Sequence, residues 1–160
     1  MYRTGFGYDL HRLERGRKLI LGGVEVADQD GLAGHSDGDC LTHAVIDALL
    51  GAAGEADIGR HFPDTEPRWK GARSVELLAV VMEKLRIAGW RVENVDSVIV
   101  AQKPLLAPYI PAMKQALAPV LGVGPEAIGI KAKTNEGLGL IGKGRAVACW
   151  ASVLVRRDRT

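Results

Sequence analysis

Apolar and polar residues alternate with a period of two near the start of the chain, which is the pattern of a β-strand with two different faces. Phe6, Tyr8 and Leu10 fall on one side of this segment, and Asp9 and His11 fall on the other. Later runs rich in Val and Ile are also typical of strands, and longer segments between them repeat apolar residues at helical spacing. The pattern therefore predicts short strands alternating with longer helices.

The predicted elements follow one another in the order β-β-α-α-β-α-β-β. Strands are predicted over residues 3–11, 18–26, 92–101, 128–133 and 146–155, with a bend or bulge at Gly22-Gly23 inside the second. Helices are predicted over residues 39–53, 74–88 and 111–122, the second of them capped by Ser74. The connecting segments 35–39, 57–71, 104–108 and 135–144 are predicted to be turns or loops. This order predicts an α+β fold in a single domain over residues 1–160: a two-layer sandwich with a mixed sheet and helices on one face.

Both sides of the last predicted strand are largely apolar. Val147 and Val153 fall on one side, and Trp150 and Leu154 fall on the other. A sheet that faces water on one side alternates apolar with polar residues, so here both faces must be covered. We therefore expect an oligomer whose sheets pack together.

Composition argues against several classes of protein. Of the 160 residues, 47% are hydrophobic and 25% are charged, as in ordinary soluble domains. The net charge of +2 indicates neither nucleic-acid nor membrane binding, and no apolar run reaches the length of a membrane span, about 18 residues. Cys40 and Cys149 lack metal-binding spacing and are interpreted as reduced thiols of a cytoplasmic protein, although a disulfide between them stays open.

Asp9, His11 and His43 form a candidate metal site. Residues two apart in a strand point the same way, and His43 lies on the first long helix, where it can meet them. A carboxylate and two imidazoles with an open fourth position are typical of a catalytic site for zinc or a similar divalent ion. The alternative is that the Asp-x-His sequence occurs by chance and that His43 is an ordinary surface or core residue.

Asp39 and Asp47 lie one helical turn before and after His43, on the same helix face. Either carboxylate could orient the His43 ring through a hydrogen bond. The alternative is that Asp39 interacts with the helix dipole at the N-terminus and that Asp47 is a solvated charge. Both interpretations stay open at this point.

Three polar segments are candidates for phosphate or sugar binding. His35 and Ser36 precede the first helix, where free backbone N–H groups favour an anion, although they could equally be a loop residue and a cap. The acidic segment 57–66 could bind sugar hydroxyls or metal-bound phosphates, or be a solvated connection. Residues 131–137 enter a Gly-rich loop whose amides, hydroxyl and carboxylate suit a metal-bound diphosphate.

Taken in order along the chain, these segments resemble one known family. They are Gly-Tyr-Asp-Leu-His at 7–11, Gly-Gly at 22–23, His-Ser-Asp-Gly-Asp at 35–39 with His43, Asp-Ile-Gly at 57–59, Phe-Pro-Asp-Thr at 62–65, Ala-Gln at 101–102, and Lys-Ala at 131–132 with Thr134 and Glu136. The set is similar to that of the 2-C-methyl-D-erythritol 2,4-cyclodiphosphate synthases of the non-mevalonate isoprenoid pathway. The resemblance extends from about residue 5 to residue 154, essentially the whole chain.

The resemblance implies an enzyme of the phosphorus–oxygen lyase class. Its expected substrate is 4-CDP-2-C-methyl-D-erythritol 2-phosphate, whose 2-phosphate attacks the β-phosphorus of the cytidine diphosphate so that CMP leaves. The resemblance also implies a homotrimer with sheets packed around a threefold axis and active sites between neighbouring subunits.

By the same resemblance, a divalent metal, usually zinc, is held by Asp9, His11 and His43. Glu136 is expected to bind a second ion, Mg²⁺ or Mn²⁺, that bridges the diphosphate. These two ions are the cofactors that the resemblance implies.

The remaining site residues are also implied by the resemblance. His35 and Thr134 match positions that stabilise the transition state. The methylerythritol-phosphate pocket is expected to comprise Asp9, Leu10, His11, His35, Ser36, Asp57, Ile58, Gly59, Phe62, Pro63, Asp64, Thr65 and Glu66. The cytidine pocket of the adjacent subunit is expected to comprise Ala101, Gln102, Lys103, Pro104, Leu105, Leu106, Ala107, Ala132, Lys133, Thr134, Asn135 and Glu136, with Leu140 and Lys143 as further substrate contacts.

Several positions depart from the common pattern of this family. Leu105 stands where a Lys is frequent, and Lys133 stands where a Thr is frequent. Leu140, Lys143 and Arg145 stand where Phe, Arg and Glu are often found. Two cations per subunit near a threefold axis repel one another unless solvent or an anion screens them. We expect the axial cavity to bind sulfate, phosphate or an isoprenoid diphosphate; the alternative is that both side chains extend to solvent.

Two other functions are considered beside the synthase. A metal-dependent hydrolase of nucleotide diphosphates could use the same metals but admit water, giving a linear phosphate as its product. A non-catalytic trimeric protein of similar build could have lost its metals, although the intact set Asp9, His11, His43 and Glu136 argues against this.

Overall fold

Five strands form one mixed sheet in the computed structural model, which describes residues 1–157 other than the side chains of residues 27–29. The strands are β1 (Tyr2–Leu21), β2 (Val24–Leu32), β3 (Trp90–Val100), β4 (Ile128–Lys133) and β5 (Ala146–Arg157). Their order across the sheet is β2-β1-β5-β3-β4. Strands β3 and β4 run parallel, whereas the other neighbouring pairs are antiparallel. The predicted α+β class with a mixed sheet is confirmed.

Three long helices pack on one another and on the sheet. The helices of the chain are α1 (Cys40–Ala53), α2 (Ile58–His61), α3 (Ser74–Ile87), α4 (Ile110–Leu121) and α5 (Gly139–Gly142). Helix α1 contacts β1 and β5, α3 contacts α1, and α4 contacts α3. The hydrophobic core lies between these helices and the sheet. None of the described helices is long and apolar enough to cross a membrane.

The short helices were not predicted. The segments 57–71 and 135–144, predicted as turns or loops, contain α2 and α5, and a 3₁₀ turn covers Pro67–Trp69. Further 3₁₀ turns cover Ala107–Tyr109 and Pro125–Ala127. A helix of one turn is too short to show a 3.6-residue repeat, so its sequence resembles that of a loop.

The predicted second strand over residues 18–26 is wrong. Strand β1 continues through the expected loop to Leu21, and β2 starts at Val24 as its antiparallel partner, with Leu21 opposite Val24. Gly22 and Gly23 have φ of 57° and 74°, so they form the tight turn of a hairpin. Two successive residues with positive φ are typical of type I′ turns, which glycines permit without a side-chain clash.

Two glycines of β1 allow α1 to lie directly against the sheet. A Cβ atom at Gly5 would lie 1.8 Å from the backbone O of Ala48, and one at Gly7 would lie 2.0 Å from the O of Ala44. Only a residue without a side chain fits such a close approach. This contact places His43, which lies on α1, above the face of β1 that carries Asp9 and His11.

The opposite face of the sheet carries large apolar side chains that are exposed in the single chain. Phe6 is 68% exposed and Tyr8 is 47% exposed, and both alternate along β1 with the residues that face α1. Tyr8 also contacts the ring of Trp150 on β5, with 5.1 Å between ring centroids. Monomeric proteins rarely expose a continuous apolar surface of this kind.

Candidate active site

Asp9, His11 and His43 converge on one point between β1 and α1. The Oδ2 of Asp9 lies 2.8 Å from Nε2 of His11 and 3.0 Å from Nδ1 of His43. The two histidine nitrogens are 3.2 Å apart. One carboxylate oxygen and two imidazole nitrogens so close together suit a small divalent cation with a further open position. The geometry therefore fits the metal that the sequence predicted at these residues.

The cluster is electrostatically coupled. Burial acts to raise the pKa of Asp9, but the hydrogen bonds and charges of His11 and His43 outweigh it and lower that pKa well below its usual range. Burial acts to lower the pKa of His11, whereas the hydrogen bond and charge of Asp9 raise it above its ordinary value. The cluster thus favours a proton shared between Asp9 and His11, and a cation held by these residues would compete with that proton.

The two histidine rings are oriented by different partners. His11 also hydrogen-bonds to the backbone of Ala33, which favours its protonated ring. His43 is nearly buried, and its Nε2 lies 2.8 Å from Oγ of Ser74 and 3.1 Å from Oγ of Ser36. Sequence reasoning did not predict the contact between Ser74 and His43, because the two residues lie 31 positions apart in the chain.

Asp39 and Asp47 do not contact His43 in the described structure. Asp39 caps α1 by accepting from Thr42 N at 3.0 Å, and it also accepts from Gly22 N at 2.9 Å. Asp47 accepts from the N–H of Ile58, at 2.8 Å, where α2 begins. Of the two interpretations left open for Asp39, the helix-terminus one is observed. Neither interpretation of Asp47 is observed, because its carboxylate accepts a hydrogen bond from the first residue of α2.

Ser74 is not the N-cap of α3. Arg73 holds that position without a side-chain cap, and the helix begins at Ser74. The backbone N–H of Ser74 donates to Oδ2 of Asp37 at 3.0 Å, and its hydroxyl makes a short hydrogen bond to the other oxygen of Asp37. The prediction of Ser74 as a cap was wrong because this long-range contact takes the hydroxyl away from the helix.

A cavity of about 280 Å³ opens beside the metal cluster. Eight residues of the predicted methylerythritol-phosphate pocket line it: Asp9 and His11 of the metal cluster, and His35, Ser36, Ile58, Gly59, Phe62 and Asp64. Trp69 and Leu77 also line it and were not predicted. Trp69 packs edge-on against Phe62, with 5.0 Å between ring centroids. The contact between Phe62 and Trp69 could not be predicted from the sequence, because it depends on how the segment 57–71 folds back on itself.

Other predicted pocket residues lie outside this cavity. Asp57 caps α2 by accepting from Arg60 N at 3.1 Å, and Glu66 pairs with Arg68 at 2.5 Å. Leu10 lies on the opposite face of the sheet and is 45% exposed. Pro63 and Thr65 are in the same loop as the cavity residues without lining it.

The two predicted cytidine-pocket segments meet at the ends of the parallel strands β3 and β4. The backbone N–H of Ala101 donates to the O of Lys133 at 3.0 Å, and that of Gly137 donates to Oε1 of Gln102 at 3.2 Å. Within this surface Leu106 is buried, whereas Leu105 is 78% exposed. These contacts make residues 101–107 and 132–136 one continuous surface.

Thr134 and Glu136 lie together on the exposed loop after β4. The Thr134 hydroxyl donates to Oε1 of Glu136 at 2.8 Å, and Glu136 has a φ of 50°. This pair is remote from the metal cluster: Asp9 lies opposite Cys149, Cys149 opposite Ile99, and Ile99 opposite Ala132. Three strand spacings separate the two regions, roughly 14 Å along the sheet.

The residues predicted to lie near a threefold axis adjoin another surface cavity, of about 480 Å³. Its lining includes Leu10, Arg12, Leu140 and Arg145. Leu140 is 69% exposed, and Lys143, one turn later, is also exposed. The cavity thus combines apolar and cationic side chains.

Comparison with known proteins is consistent along the whole chain. A sequence model described as the YgbB family matches residues 2–156. A protein of Gloeobacter violaceus named 2-C-methyl-D-erythritol 2,4-cyclodiphosphate synthase is 56% identical over 153 residues, which is 96% of this chain and 94% of that protein. A protein of Synechococcus elongatus with the same name is 53% identical, covering 98% of both chains.

Solved structures with the same fold include two that contain CDP. A 2C-methyl-D-erythritol-2,4-cyclodiphosphate synthase in its CDP-bound form has a TM-score of 0.88 and 39% identity, over 96% of this chain and 100% of that one. IspF from Plasmodium falciparum in complex with CDP has a TM-score of 0.85 and 32% identity, over 99% and 97%. The bifunctional IspDF of Campylobacter jejuni has a TM-score of 0.94 and 40% identity, and this chain matches 43% of it.

Proposed function

The chain belongs to the YgbB family, and we propose that it converts 4-CDP-2-C-methyl-D-erythritol 2-phosphate into 2-C-methyl-D-erythritol 2,4-cyclodiphosphate and CMP. This is the synthase reaction for which its curated relatives are named, and it belongs to isoprenoid precursor biosynthesis. The observation that carries the proposal is the Asp9–His11–His43 cluster, which opens onto a cavity lined by both polar and apolar residues.

The reaction needs no protein nucleophile. An oxygen of the 2-phosphate forms a bond to the β-phosphorus, and the bond from that phosphorus to the bridging oxygen breaks. CMP leaves with the bridging oxygen and its electron pair, so no water is consumed and the reaction is that of a phosphorus–oxygen lyase. Catalysis then consists of aligning two phosphates that repel each other and of neutralising their charge.

The residues of the chain divide this work between two ions. Asp9, His11 and His43 would hold zinc, and Glu136 would hold Mg²⁺ or Mn²⁺. When bound, such ions neutralise the diphosphate and polarise its phosphoryl oxygens. His35, at the wall of the cavity, would contact the phosphoryl group during transfer, and Thr134 would do so from the loop of Glu136.

The cavity would hold the methylerythritol phosphate end of the substrate. Asp64 supplies an exposed carboxylate for sugar hydroxyls, whereas Ile58 and Phe62 supply apolar contact to the carbon skeleton. Four residues near the cavity would border the substrate without forming the cavity wall: Asp57, Pro63, Thr65 and Glu66. A substrate that fills this pocket would keep water from the phosphorus, which favours cyclisation over hydrolysis.

A homotrimer with sites between subunits explains two features of the single chain. The Glu136 loop and the adjoining cytidine surface lie about three strands from the metal cluster, too far to act on one diphosphate. The sheet face that carries Phe6 and Tyr8 is apolar and exposed. Burying that face around a threefold axis would bring the Glu136 loop of a neighbour to the cluster.

The proposed enzyme is cytoplasmic and has an anion site near its threefold axis. Cys40 and Cys149 are buried free thiols, as expected for a cytoplasmic enzyme. The cavity with Arg12, Leu140 and Arg145 would face the threefold axis and bind an anion, such as sulfate, phosphate or an isoprenoid diphosphate whose tail contacts the leucines.

Phosphorus NMR of the purified enzyme with the CDP-linked substrate tests the function. The synthase produces two coupled phosphorus signals of a cyclic diphosphate together with CMP, in equal amounts. A metal-dependent hydrolase would instead release a linear phosphate, and a non-catalytic protein would release nothing. Either of the last two results would contradict the proposal.

A further inference from the structure

His43 contacts its surroundings through both ring nitrogens. Its Nδ1 lies 3.0 Å from Oδ2 of Asp9 and 3.2 Å from Nε2 of His11, inside the metal cluster. Its Nε2 lies 2.8 Å from Oγ of Ser74 and 3.1 Å from Oγ of Ser36, on the side of the protein interior. A neutral imidazole carries one proton, so the partners of Nε2 decide which nitrogen remains free to bind a cation.

The direction of the hydrogen bond between Ser74 and His43 follows from Asp37. One oxygen of the Asp37 carboxylate accepts from the backbone N–H of Ser74 at 3.0 Å, and the other makes a short contact with Ser74 Oγ. An ionised carboxylate only accepts, so the Ser74 hydroxyl donates its single proton to Asp37. The Ser74 oxygen is then an acceptor, and the ring nitrogen facing it must carry the proton.

Ser36 is compatible with this arrangement. Its Oγ accepts from the backbone N–H of Gly38 at 3.3 Å and offers a second acceptor to the same ring N–H. Ser74 is fully buried, and Ser36 and His43 are 7% and 9% exposed. Because water has little access to these three side chains, a hydrogen bond in the reverse direction would leave a buried polar group without a partner. The direction of each hydrogen bond is therefore fixed.

We propose that Asp37 and Ser74 are positioning residues that hold His43 with its proton on Nε2 and its Nδ1 lone pair directed at the metal cluster. Asp37 orients the Ser74 hydroxyl, and Ser74 orients the ring. This inference rests on the proposed zinc site at Asp9, His11 and His43. Hydrogen-bonding partners of metal-bound histidines typically contribute about 10–100-fold in metal affinity.

Zinc affinity measures this role without depending on turnover. Metal-free full-length protein is titrated with zinc in competition with a chromophoric chelator, for wild type, Ser74→Ala and Asp37→Asn. The Asn amide can turn its N–H₂ toward Ser74, which reverses the hydroxyl and places the ring proton on the wrong nitrogen. Ser97→Ala is the matched control, because Ser97 is also buried and its hydroxyl donates to the O of Gly129 at 2.9 Å.

We expect Ser74→Ala and Asp37→Asn each to raise the zinc Kd by about 10–100-fold, and Ser97→Ala to leave it within about twofold. Ser74→Thr, which keeps a hydroxyl, should stay closer to wild type than Ser74→Ala. If Ser74 were only structural, Ser74→Ala would lower the melting temperature of the metal-free protein and leave the zinc Kd unchanged. That result in Ser74→Ala and Asp37→Asn alike would overturn the inference.

Histidine ring nitrogens labelled with ¹⁵N provide a second readout in the zinc-loaded protein. We expect one ring with zinc on Nδ1 and a slowly exchanging proton on Nε2, and faster exchange of that proton in Ser74→Ala. A ring proton on Nδ1 of His43 would also overturn the inference. Failure of the zinc site itself is distinguishable, since His43→Ala would then bind zinc as wild type does, or wild type would not bind it.

Discussion

The metal cluster and the Glu136 loop are two halves of one proposed site, and the single chain holds them very differently. His43 is 9% exposed and contacts Asp9, His11, Ser36 and Ser74 through its two ring nitrogens. Glu136 is exposed, with one side-chain hydrogen bond, to Thr134, among the described residues. One half is preorganised by the fold of the chain, whereas the other is arranged for contact with something outside it.

The difference follows from the elements that carry each half. Asp9 and His11 lie on a strand fixed by pairing on both sides, and α1 is locked to that strand by close contact at Gly5 and Gly7. Glu136 follows the end of an edge strand and is held in a left-handed conformation by a loop. Pairing and packing preorganise the first half, and only a ligand or a neighbouring subunit can do so for the second.

Removing a ligand from the preorganised half should have the largest effect. We expect His43→Ala to lose its tightly bound metal and to reduce turnover by about a thousandfold. A metal contributes several kcal/mol of charge stabilisation, and each 1.4 kcal/mol or so corresponds to tenfold in rate. Elemental analysis and the phosphorus NMR assay measure the two losses, and light scattering should show an unchanged oligomer. Normal metal content with normal turnover would contradict the assignment.

Disrupting the proposed subunit interface should separate the two halves without changing a residue of either. Phe6→Asp places a charge on the apolar sheet face, so we expect a lower mass in light scattering and a loss of activity of about a hundredfold or more. Ile87→Asp is the control, because Ile87 is 75% exposed on α3, away from this face. A monomeric Phe6→Asp variant with full activity would show that one chain makes a complete site.

Glu136→Gln should affect the exposed half alone. We expect it to keep tightly bound zinc and to lower turnover by about 10–100-fold, with a weaker response to added Mg²⁺ or Mn²⁺. Glu126→Gln removes another exposed carboxylate of the chain and should change neither property. Loss of zinc from Glu136→Gln would show that the two halves are not distinct.

The smallest expected effect concerns the axial cavity. Diphosphate ligands should raise the melting temperature of wild type by a few degrees, because an anion would screen the proposed cationic ring of Arg145 and Lys143. Arg145→Glu should abolish this stabilisation. Equal stabilisation of wild type and Arg145→Glu, or stabilisation of neither, would contradict the proposed axial anion site.

Sequence reasoning reached the parts of the site that rest on local periodicity. The alternation of β1 places Asp9 and His11 on one face, and the helical pattern places His43 on α1. The hairpin at Gly22-Gly23 was missed, because apolar residues on both sides of the glycines resemble one continuous strand.

Long-range contacts were not accessible in this way. Ser74 contacts His43 only because α3 packs beside α1, whereas helical spacing offered only Asp39 and Asp47 as candidate partners of that ring. The separation of Glu136 from the cluster likewise depends on strand order. Asp9 and His11 lie on β1, and Glu136 follows β4, which is three strands away in the sheet. Pairing order and packing of distant segments leave no periodic trace in the sequence.

The central claim is that one site takes its zinc half from one subunit and its Glu136 half from a neighbour. Co-expressing His43→Ala and Glu136→Gln chains with two affinity tags yields mixed trimers of two variants whose activity is strongly reduced. A mixed trimer of either composition, two to one or one to two, has one site of three that combines both intact halves, so about a third of the sites should be complete. We predict that purified mixed trimers recover activity on that scale, which exceeds the activity of either variant alone. Mixed trimers as inactive as their parents would contradict the claim.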